Sequence, residues 1–311
     1  MMDHTAVFQL LNKNYPVTFT NMEFHREGGS LSYVVSGEDR RYFLRKIRSA
    51  FAESTRQSLD PHRYLIENNV SVPKIIFTKG SAPCVEAADS DGKHLYILYE
   101  FIEGQEPDRM RDAEKIGDLV GRYHQVMQGY DGELAVRGKY DFIDKYIEIL
   151  RKKEYPENKI RAFKKHGDRL WEQVKDLDRG YCHSDLYIGN IHKSMTGELF
   201  ILDLDRSCYG FPLYDVALVC NATDYFKFDE AGFHKTNMIL DRFLSGYEQF
   251  FTISEVERKA VFYFIAIYHY QLQAIIIEKN GLDCVDEEFL DNQLDWLMKW
   301  DKQCAVSFNP L

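Results

Sequence analysis

The stretch Tyr181-Cys182-His183-Ser184-Asp185-Leu186-Tyr187-Ile188-Gly189-Asn190-Ile191, followed by Leu199-Phe200-Ile201-Leu202-Asp203-Leu204-Asp205, decides how this chain is read. It contains His-x-Asp-x4-Asn, with Asp203 placed eighteen positions after Asp185 at the end of an apolar, strand-like run. Phosphoryl transfer from ATP needs a carboxylate to orient the attacking hydroxyl and accept its proton, and oxygen ligands to hold Mg²⁺ on the phosphates. Asp185 suits the first task. Asn190 and Asp203 suit the second, because Mg²⁺ takes one or two protein oxygens and completes its shell with phosphate and water. His183 joins Asp185 as a candidate catalytic residue. A loop in which Asp and Asn only form turns and caps would leave the aspartate at the strand end unexplained.

These residues resemble the aminoglycoside phosphotransferase and choline kinase superfamily, whose usual catalytic line is His-Gly-Asp-Leu-His-x-x-Asn followed by an Ile-Asp-Trp/Phe strand. His183 to Asn190 matches the first element and Ile201-Leu202-Asp203 the second. Tyr209-Gly210-Phe211-Pro212-Leu213-Tyr214-Asp215-Val216-Ala217 is similar to the family's Gly-Asp-Pro-x-Tyr-Asp-Leu-Ala, which implies that Asp215 braces the catalytic loop. Ser184 stands where Gly is common and Tyr187 where His is common. The resemblance implies an α+β, bilobal protein-kinase-like fold: an N-terminal nucleotide-binding lobe over 1–102 and a helical catalytic and acceptor-binding lobe over 103–311. It also implies ATP and Mg²⁺ as cofactors and a small-molecule hydroxyl as acceptor.

Working outward, the patterns agree with that architecture. Thr18 to Phe24, Leu31 to Ser36 and Arg41 to Ile47 are short, rich in β-branched and aromatic residues, and separated by Gly-containing turns, which predicts an antiparallel meander. A helix is expected from Glu53 to Asn69, then strands at Lys74 to Phe77 and His94 to Phe101. Beyond Gly104 the periodicity is helical at Asp112 to Met127, Asp141 to Arg151, Ile160 to Lys175, Tyr214 to Phe226, Glu230 to Phe250, Glu255 to Lys279 and Glu287 to Cys304.

In the first lobe, Gly28, Gly29 and Ser30 look like the loop over the nucleotide phosphates, where small residues let backbone N–H groups approach oxygen. Arg45 and Lys46 are both candidates for the phosphate-pairing base. Strand alternation puts them on opposite faces, and the resemblance favours Arg45, leaving Lys46 as a solvated strand charge. The family's partner Glu falls by spacing on Ser58, so Glu53, Gln57 or Asp60 must substitute. Glu100, Phe101 and Ile102 resemble the hinge strand whose backbone meets adenine.

The formal net charge of −10 and pI near 5.5 argue against a nucleic-acid partner and favour a cationic acceptor. Acceptor candidates in the second lobe are Tyr187, Asp205, Asp224, Tyr225 and His269, with Tyr270, Gln273 and Trp296 beside them. Acidic and aromatic groups together suit an amine or quaternary ammonium. The resemblance allows choline, ethanolamine, homoserine, methylthioribose and aminoglycosides. Six cysteines without a Cys-x-x-Cys pair point to reduced thiols and a cytoplasmic location. The most apolar stretch, Val261 to Ile277, is broken by His269, Gln271 and Gln273, so a buried helix is expected rather than a membrane span. A protein kinase is disfavoured, because neither Asp-Phe-Gly nor Ala-Pro-Glu is present. The missing Glu and Ser184 keep a catalytically weak binding or scaffold protein open as the alternative.

Overall fold

The computed structural model describes residues 4–28, 30–89 and 92–308. The predicted phosphate-loop residue Gly29 lies outside the described residues. The chain divides into two compact units. The first runs through Glu106 and includes Tyr130–Gly132 and Asn190–Arg206; the second comprises Pro107–Gly129, Glu133–Gly189 and the chain from Ser207 onward. The expected break near residue 102 therefore lies four residues later, and a segment expected in the second lobe belongs with the first.

The first unit is built on α1 (His4–Asn14), β1 (Phe19–Glu27), β2 (Ser30–Gly37), β3 (Arg41–Arg48), α2 (Ser49–Glu67), β4 (Val85–Asp89) and β5 (Gly92–Glu100). The strands form an antiparallel sheet in the order β1-β2-β3-β5-β4. The run Leu95 to Tyr99 in β5 is apolar at every position because both of its faces are covered. Tyr96 and Leu98 join Leu44, Val35, the Val7 and Leu11 face of α1 and Tyr15 just after it. Leu95, Ile97 and Tyr99 join Ile47 and the Ala52 and Leu59 face of α2. A small sheet formed by Gly104–Gln105, Ile191–Ser194 and Leu199–Ile201 completes the unit and ties the distant hairpin into it.

The second unit holds α3 (Ala113–Met127), α4 (Lys145–Lys152), α5 (Glu157–Val174), α6 (Pro212–Cys220), α7 (Gly232–Tyr247), α8 (Glu255–Asn280) and α9 (Glu287–Phe308), plus the short strand pair Gly180–Cys182 and Cys208–Gly210. Helices α3 and α7 approach so closely that a Cβ on Gly117 would lie 2.0 Å from the Phe243 carbonyl oxygen, and one on Gly246 2.0 Å from that of Glu114. Helix α8 starts at a capping box, in which Ser254 and Glu257 satisfy each other's backbone N–H. It is long and apolar enough to cross a membrane by length and composition, which the interrupting polar residues did not lead one to expect. Within the unit, 72% of its most apolar window is buried against protein, as a core helix would be.

Three local expectations need correction. Lys74 to Phe77 is not a strand: it makes a single bridge, Ile75 to Tyr99, and the Lys74 N–H is taken by the Glu100 carboxylate rather than by a ladder. The helix expected over Tyr214 to Phe226 stops at Cys220, where the Asn221 carboxamide oxygen accepts from the backbone N–H and hydroxyl of Thr223. Helix α1 and strand β4 were not anticipated.

Candidate functional site

In the first unit, Arg45 is the centre of a charge cluster. Register pairs Arg45 with Ile97 and Lys46 with Tyr96, so Arg45 shares the α2 face of the sheet and Lys46 the α1 face. Arg45 grips Asp205 with both arms of its guanidinium, Nη2 to Oδ2 at 2.7 Å and Nη1 to Oδ1 at 3.2 Å. Nη1 also lies 3.2 Å from Asp203 Oδ1. From α2, the hydroxyls of Thr55 and Ser58 donate to the same Asp205 carboxylate at 2.8 and 3.2 Å. Burial alone would raise the Asp205 carboxyl pKa, but the Arg45 charge and these hydrogen bonds outweigh it and hold the group below the usual carboxylate range.

Asp205 thus occupies the position of the missing helix glutamate. Ser58, where that glutamate was expected, reaches Asp205 instead, while Glu53 pairs with Arg56, and Asp60 with Arg63 and Tyr130. Asp205, expected among the acceptor candidates, is engaged here with Arg45, Thr55 and Ser58. Lys46 also needs correction: it is fully buried on the α1 face rather than solvated.

Asn190 and Asp203 come together through hairpin register. Ile191 pairs with Ile201, and the Asn190 carbonyl accepts the Leu202 N–H at 2.9 Å, placing both at the same end of one ladder. Asp203 adopts φ +59° and is about one-third exposed. No group of three or more His, Cys, Asp or Glu residues among the described residues is arranged around a metal. The Asp203 carboxylate beside the Arg45 guanidinium is an oxygen ligand of the kind a divalent metal could share with phosphates. Ser30 lies at the same end, 3.4 Å from Arg45 Nε, and the Gly28 N–H bonds back to the Ser30 carbonyl. A Cβ on Gly28 would meet nothing within 4 Å, so open space lies over this turn. At the expected hinge, the Glu100 N–H donates to Lys74 and the Ile102 carbonyl accepts from His192, which narrows the backbone groups that could meet adenine. Phe101 packs under the Arg41 guanidinium at 4.4 Å.

In the second unit, Asp215 is fully buried and accepts the backbone N–H groups of His183 and Ser184, both at 2.7 Å. His124, which sequence reasoning missed, donates from Nε2 to Asp215 at 3.1 Å, since a carboxylate can only accept, and its Nδ1 lies 3.0 Å from the Tyr247 hydroxyl. The loop so held puts Ser184 at φ +63°, the left-handed region where glycine is the easier residue. Its hydroxyl accepts from Arg137 at 2.8 Å, partly compensating that strain. Asp185 is half-buried at the tip. His183 is completely buried, edge-on to Tyr123, whereas Asp185 keeps part of its surface open.

Two positions beyond Asp185, Tyr187 is half-exposed and forms part of the wall of a cavity of about 260 Å³. Gly189 lets the Tyr187 ring lie against the backbone, since a Cβ there would sit 2.6 Å from the ring. The rest of the wall comes from Arg109 ahead of α3, from the end of α6, from α8 and from the loop that follows the early stop at Cys220. Of the acceptor candidates, Tyr187 and Tyr225 line it. His269, Trp296 and Asp224 stand behind it. The His269 ring stacks on Trp296 at 3.8 Å and tilts over Tyr225, while Trp296 Nε1 donates to the Asp224 carbonyl. The Asp224 carboxylate caps its own turn through Phe226 and Lys227. Tyr270 is a core residue held by His166 and the Phe163 carbonyl.

Residues 22–256 match the sequence pattern of the "Phosphotransferase enzyme family", APH. The chain belongs to that family. No curated protein sequence matches it. Among solved structures, this phosphotransferase is similar to amicoumacin kinase hAmiN in complex with AMP-PNP, Ca²⁺ and Ami, at 18% identity and TM-score 0.75, covering 97% of this chain and 94% of that one. It is also similar to a microcompartment-associated aminopropanol kinase, at 14% identity and TM-score 0.71, covering 98% and 96%. The spectinomycin phosphotransferase APH(9)-Ia complex with ADP and spectinomycin shares 13% identity and TM-score 0.66, covering 97% and 99%. The fold is therefore kinase-like.

What the phosphotransferase sequence did not disclose are Thr55, His124, Arg137 and Arg109, the last a wall residue of the cavity. Each acts through a partner distant in sequence, and none belongs to a motif.

Proposed function

We propose that this phosphotransferase moves the γ-phosphoryl group of ATP, in the presence of Mg²⁺, onto a hydroxyl of a small molecule. The observation that carries this reading is the loop in which buried Asp215 holds the His183 and Ser184 backbone and leaves Asp185 half-exposed, two residues before the cavity-lining Tyr187. When bound, Mg²⁺-ATP supplies the phosphoryl group and leaves as ADP. Asp185 orients the acceptor hydroxyl and takes its proton as the acceptor oxygen bonds to phosphorus and the bond to the departing ADP oxygen breaks. Asn190 and Asp203 are the residues suited to hold the metal, and Arg45 to offset phosphate charge. The spectinomycin and hAmiN complexes contain ADP or an ATP analogue, which supports the nucleotide assignment. The scaffold alternative drew on the missing helix glutamate and on Ser184; the pairing of Asp205 with Arg45 speaks against the first of these, and Ser184 remains.

The test is ADP release with Mg²⁺-ATP across hydroxyl-bearing acceptors: choline, ethanolamine, homoserine, methylthioribose and aminoglycosides. Acceptor-dependent release that disappears in Asp185→Ala supports the kinase. Nucleotide binding without release from any acceptor supports the scaffold.

A further inference from the structure

Next to the loop that carries Asp185, two cysteines face each other. Cys182 ends the strand Gly180–Cys182, one residue before His183, and Cys208 opens the partner strand Cys208–Gly210, where register sets the two directly opposite. Both are free thiols, completely buried, with their sulfurs 3.6 Å apart. Directly opposed residues of an antiparallel pair keep their Cα atoms about 4.5–5.5 Å apart, inside the roughly 4.4–6.8 Å that a disulfide spans. A Cβ on Gly210 would lie 3.2 Å from the Cys208 sulfur and 3.3 Å from that of Cys182, so glycine leaves the pair its room.

The two sulfurs are not alike. The hydrogen bond with Cys182, the Arg137 charge and the Ser184 hydroxyl hold the Cys208 thiol below the ordinary thiol range although burial opposes them. The bond to Cys208 and burial push Cys182 well up. Arg137 in turn donates to the Ser184 hydroxyl at 2.8 Å. A thiolate stabilised by a guanidinium, with a protonated thiol in contact, is the arrangement of an attacking and a resolving cysteine.

We propose that Cys182 and Cys208 form an oxidation site for peroxides, and that the resulting disulfide slows the phosphotransferase by shifting the catalytic loop. The Cys208 thiolate attacks a peroxide oxygen: an S–O bond forms, the O–O bond breaks, and the departing hydroxide leaves as water with the proton that Cys208 gave up. Cys182 then attacks the sulfenic sulfur, the S–S bond forms, the S–O bond breaks, and the hydroxyl leaves as a second water with the Cys182 proton. Two thiols lose two electrons and one hydrogen peroxide becomes two waters. Oxidant reaches the sulfurs when the ladder opens; its strands are three residues long, and short, sparsely bonded elements open at low cost. Closure draws the sulfurs from 3.6 Å to about 2.05 Å. Cys182 is bonded to His183, whose N–H Asp215 holds at 2.7 Å, so the loop moves with it. A misplacement of about 1 Å at reacting groups can cost on the order of 10²-fold. The effect on turnover rests on the phosphotransferase reading; the disulfide does not.

The full chain is treated with hydrogen peroxide and followed by peptide mass mapping without reduction, by hydrogen exchange over residues 181–186, and by ADP release with whichever acceptor gives the most. The expected result is a crosslink of Cys182 to Cys208, lighter than the reduced peptides by two hydrogens. Loop amides should exchange about tenfold or more faster, and ADP release should fall by about tenfold or more. Dithiothreitol should reverse all three, a control that needs no substitution. Cys208→Ala, which removes the attacking sulfur, should leave ADP release insensitive to peroxide. Oxidation confined to half-buried Cys84 and exposed Cys284, a crosslink that leaves exchange and ADP release unchanged, or a loss that persists in Cys208→Ala would overturn the inference. No ADP release from the reduced chain with any acceptor would count against the phosphotransferase reading instead. Mapping and exchange then decide the site: crosslink with faster exchange upholds it, and the lack of either overturns it.

Discussion

Two carboxylates, Asp205 in the first unit and Asp215 in the second, each gather several donors, and they differ in what donates. Asp215 is held by two backbone N–H groups and His124, and it fixes the path of the main chain at the catalytic loop. Asp205 is held by three side chains, Arg45, Thr55 and Ser58, and it fixes the direction of one guanidinium. Backbone donors exist at every residue, so the first arrangement constrains only Asp215 and its spacing. The second depends on which side chains are available, so its parts can be exchanged.

That contrast can be broken at several points. The largest effect is expected from Asp215→Ala, which strands two buried backbone donors and removes a buried charge partner. It should cost about 4 kcal/mol in chemical denaturation, and a loss below about 1 kcal/mol would mean the loop is held otherwise. Asp205→Ala should cost about 3 kcal/mol by leaving Arg45 without its bidentate partner. If the two acids of the cluster are exchangeable in the way described, adding Ser58→Glu to that variant should recover at least half of the nucleotide affinity it loses; no recovery would show that Asp205 has a further role.

Acid sensitivity sharpens the comparison, because each unit buries a neutral histidine. Burial lowers the pKa of His62 from 6.5 to about 4 in the first unit, against the hydrogen bond to the Pro73 carbonyl. Burial likewise lowers that of His269 to about 4 in the second. Between pH 6.5 and 4 the unfolded chain takes up a proton that the folded chain refuses, so stability falls as pH falls through that window. At pH 5 the loss should be on the order of 2 kcal/mol for each residue. Denaturation midpoints at pH 7 and 5 should converge in His62→Gln and in His269→Gln relative to wild type, and an unchanged difference would contradict the assignment.

The smallest effect belongs to Ser184. Ser184→Gly relieves a left-handed side chain but loses the Arg137 contact, two terms of about 1 kcal/mol each that nearly cancel. Ser184→Val keeps the strain and loses the contact, and should be destabilised by about 2 kcal/mol or more. Near-equal stability of the two variants would show that φ at this position does not matter.

The same contrast explains what could be read from sequence. The antiparallel meander, the helices beyond Gly104 and the loop from His183 to Asn190 were legible because they rest on period, turn residues and fixed spacing. The Asp203 strand end was legible for the same reason. The pairing of Asp205 with Arg45, Thr55 and Ser58 was not legible because these partners lie some 150 positions away in α2 and β3 and carry no motif. The early stop of α6 at Cys220 was hidden because Ala222 to Phe226 continue a plausible helical pattern; the Asn221 to Thr223 bonds and those of distant Arg109 and Thr236 to this turn end it. That missed stop matters, since the loop it creates forms one wall of the cavity and presents Tyr225 and Phe226 to it. Lys46 was misread because alternation tells which face a residue takes but not whether α1, itself unexpected, covers that face.

The most direct test of the central claim is made on Asp185→Asn, with phosphorylated product and nucleotide affinity measured on the same preparation, using whichever acceptor gives the greatest ADP release with wild type. The account predicts product formation lower by about 10²–10⁴-fold with nucleotide affinity essentially unchanged. Product formation within about tenfold of wild type would contradict it.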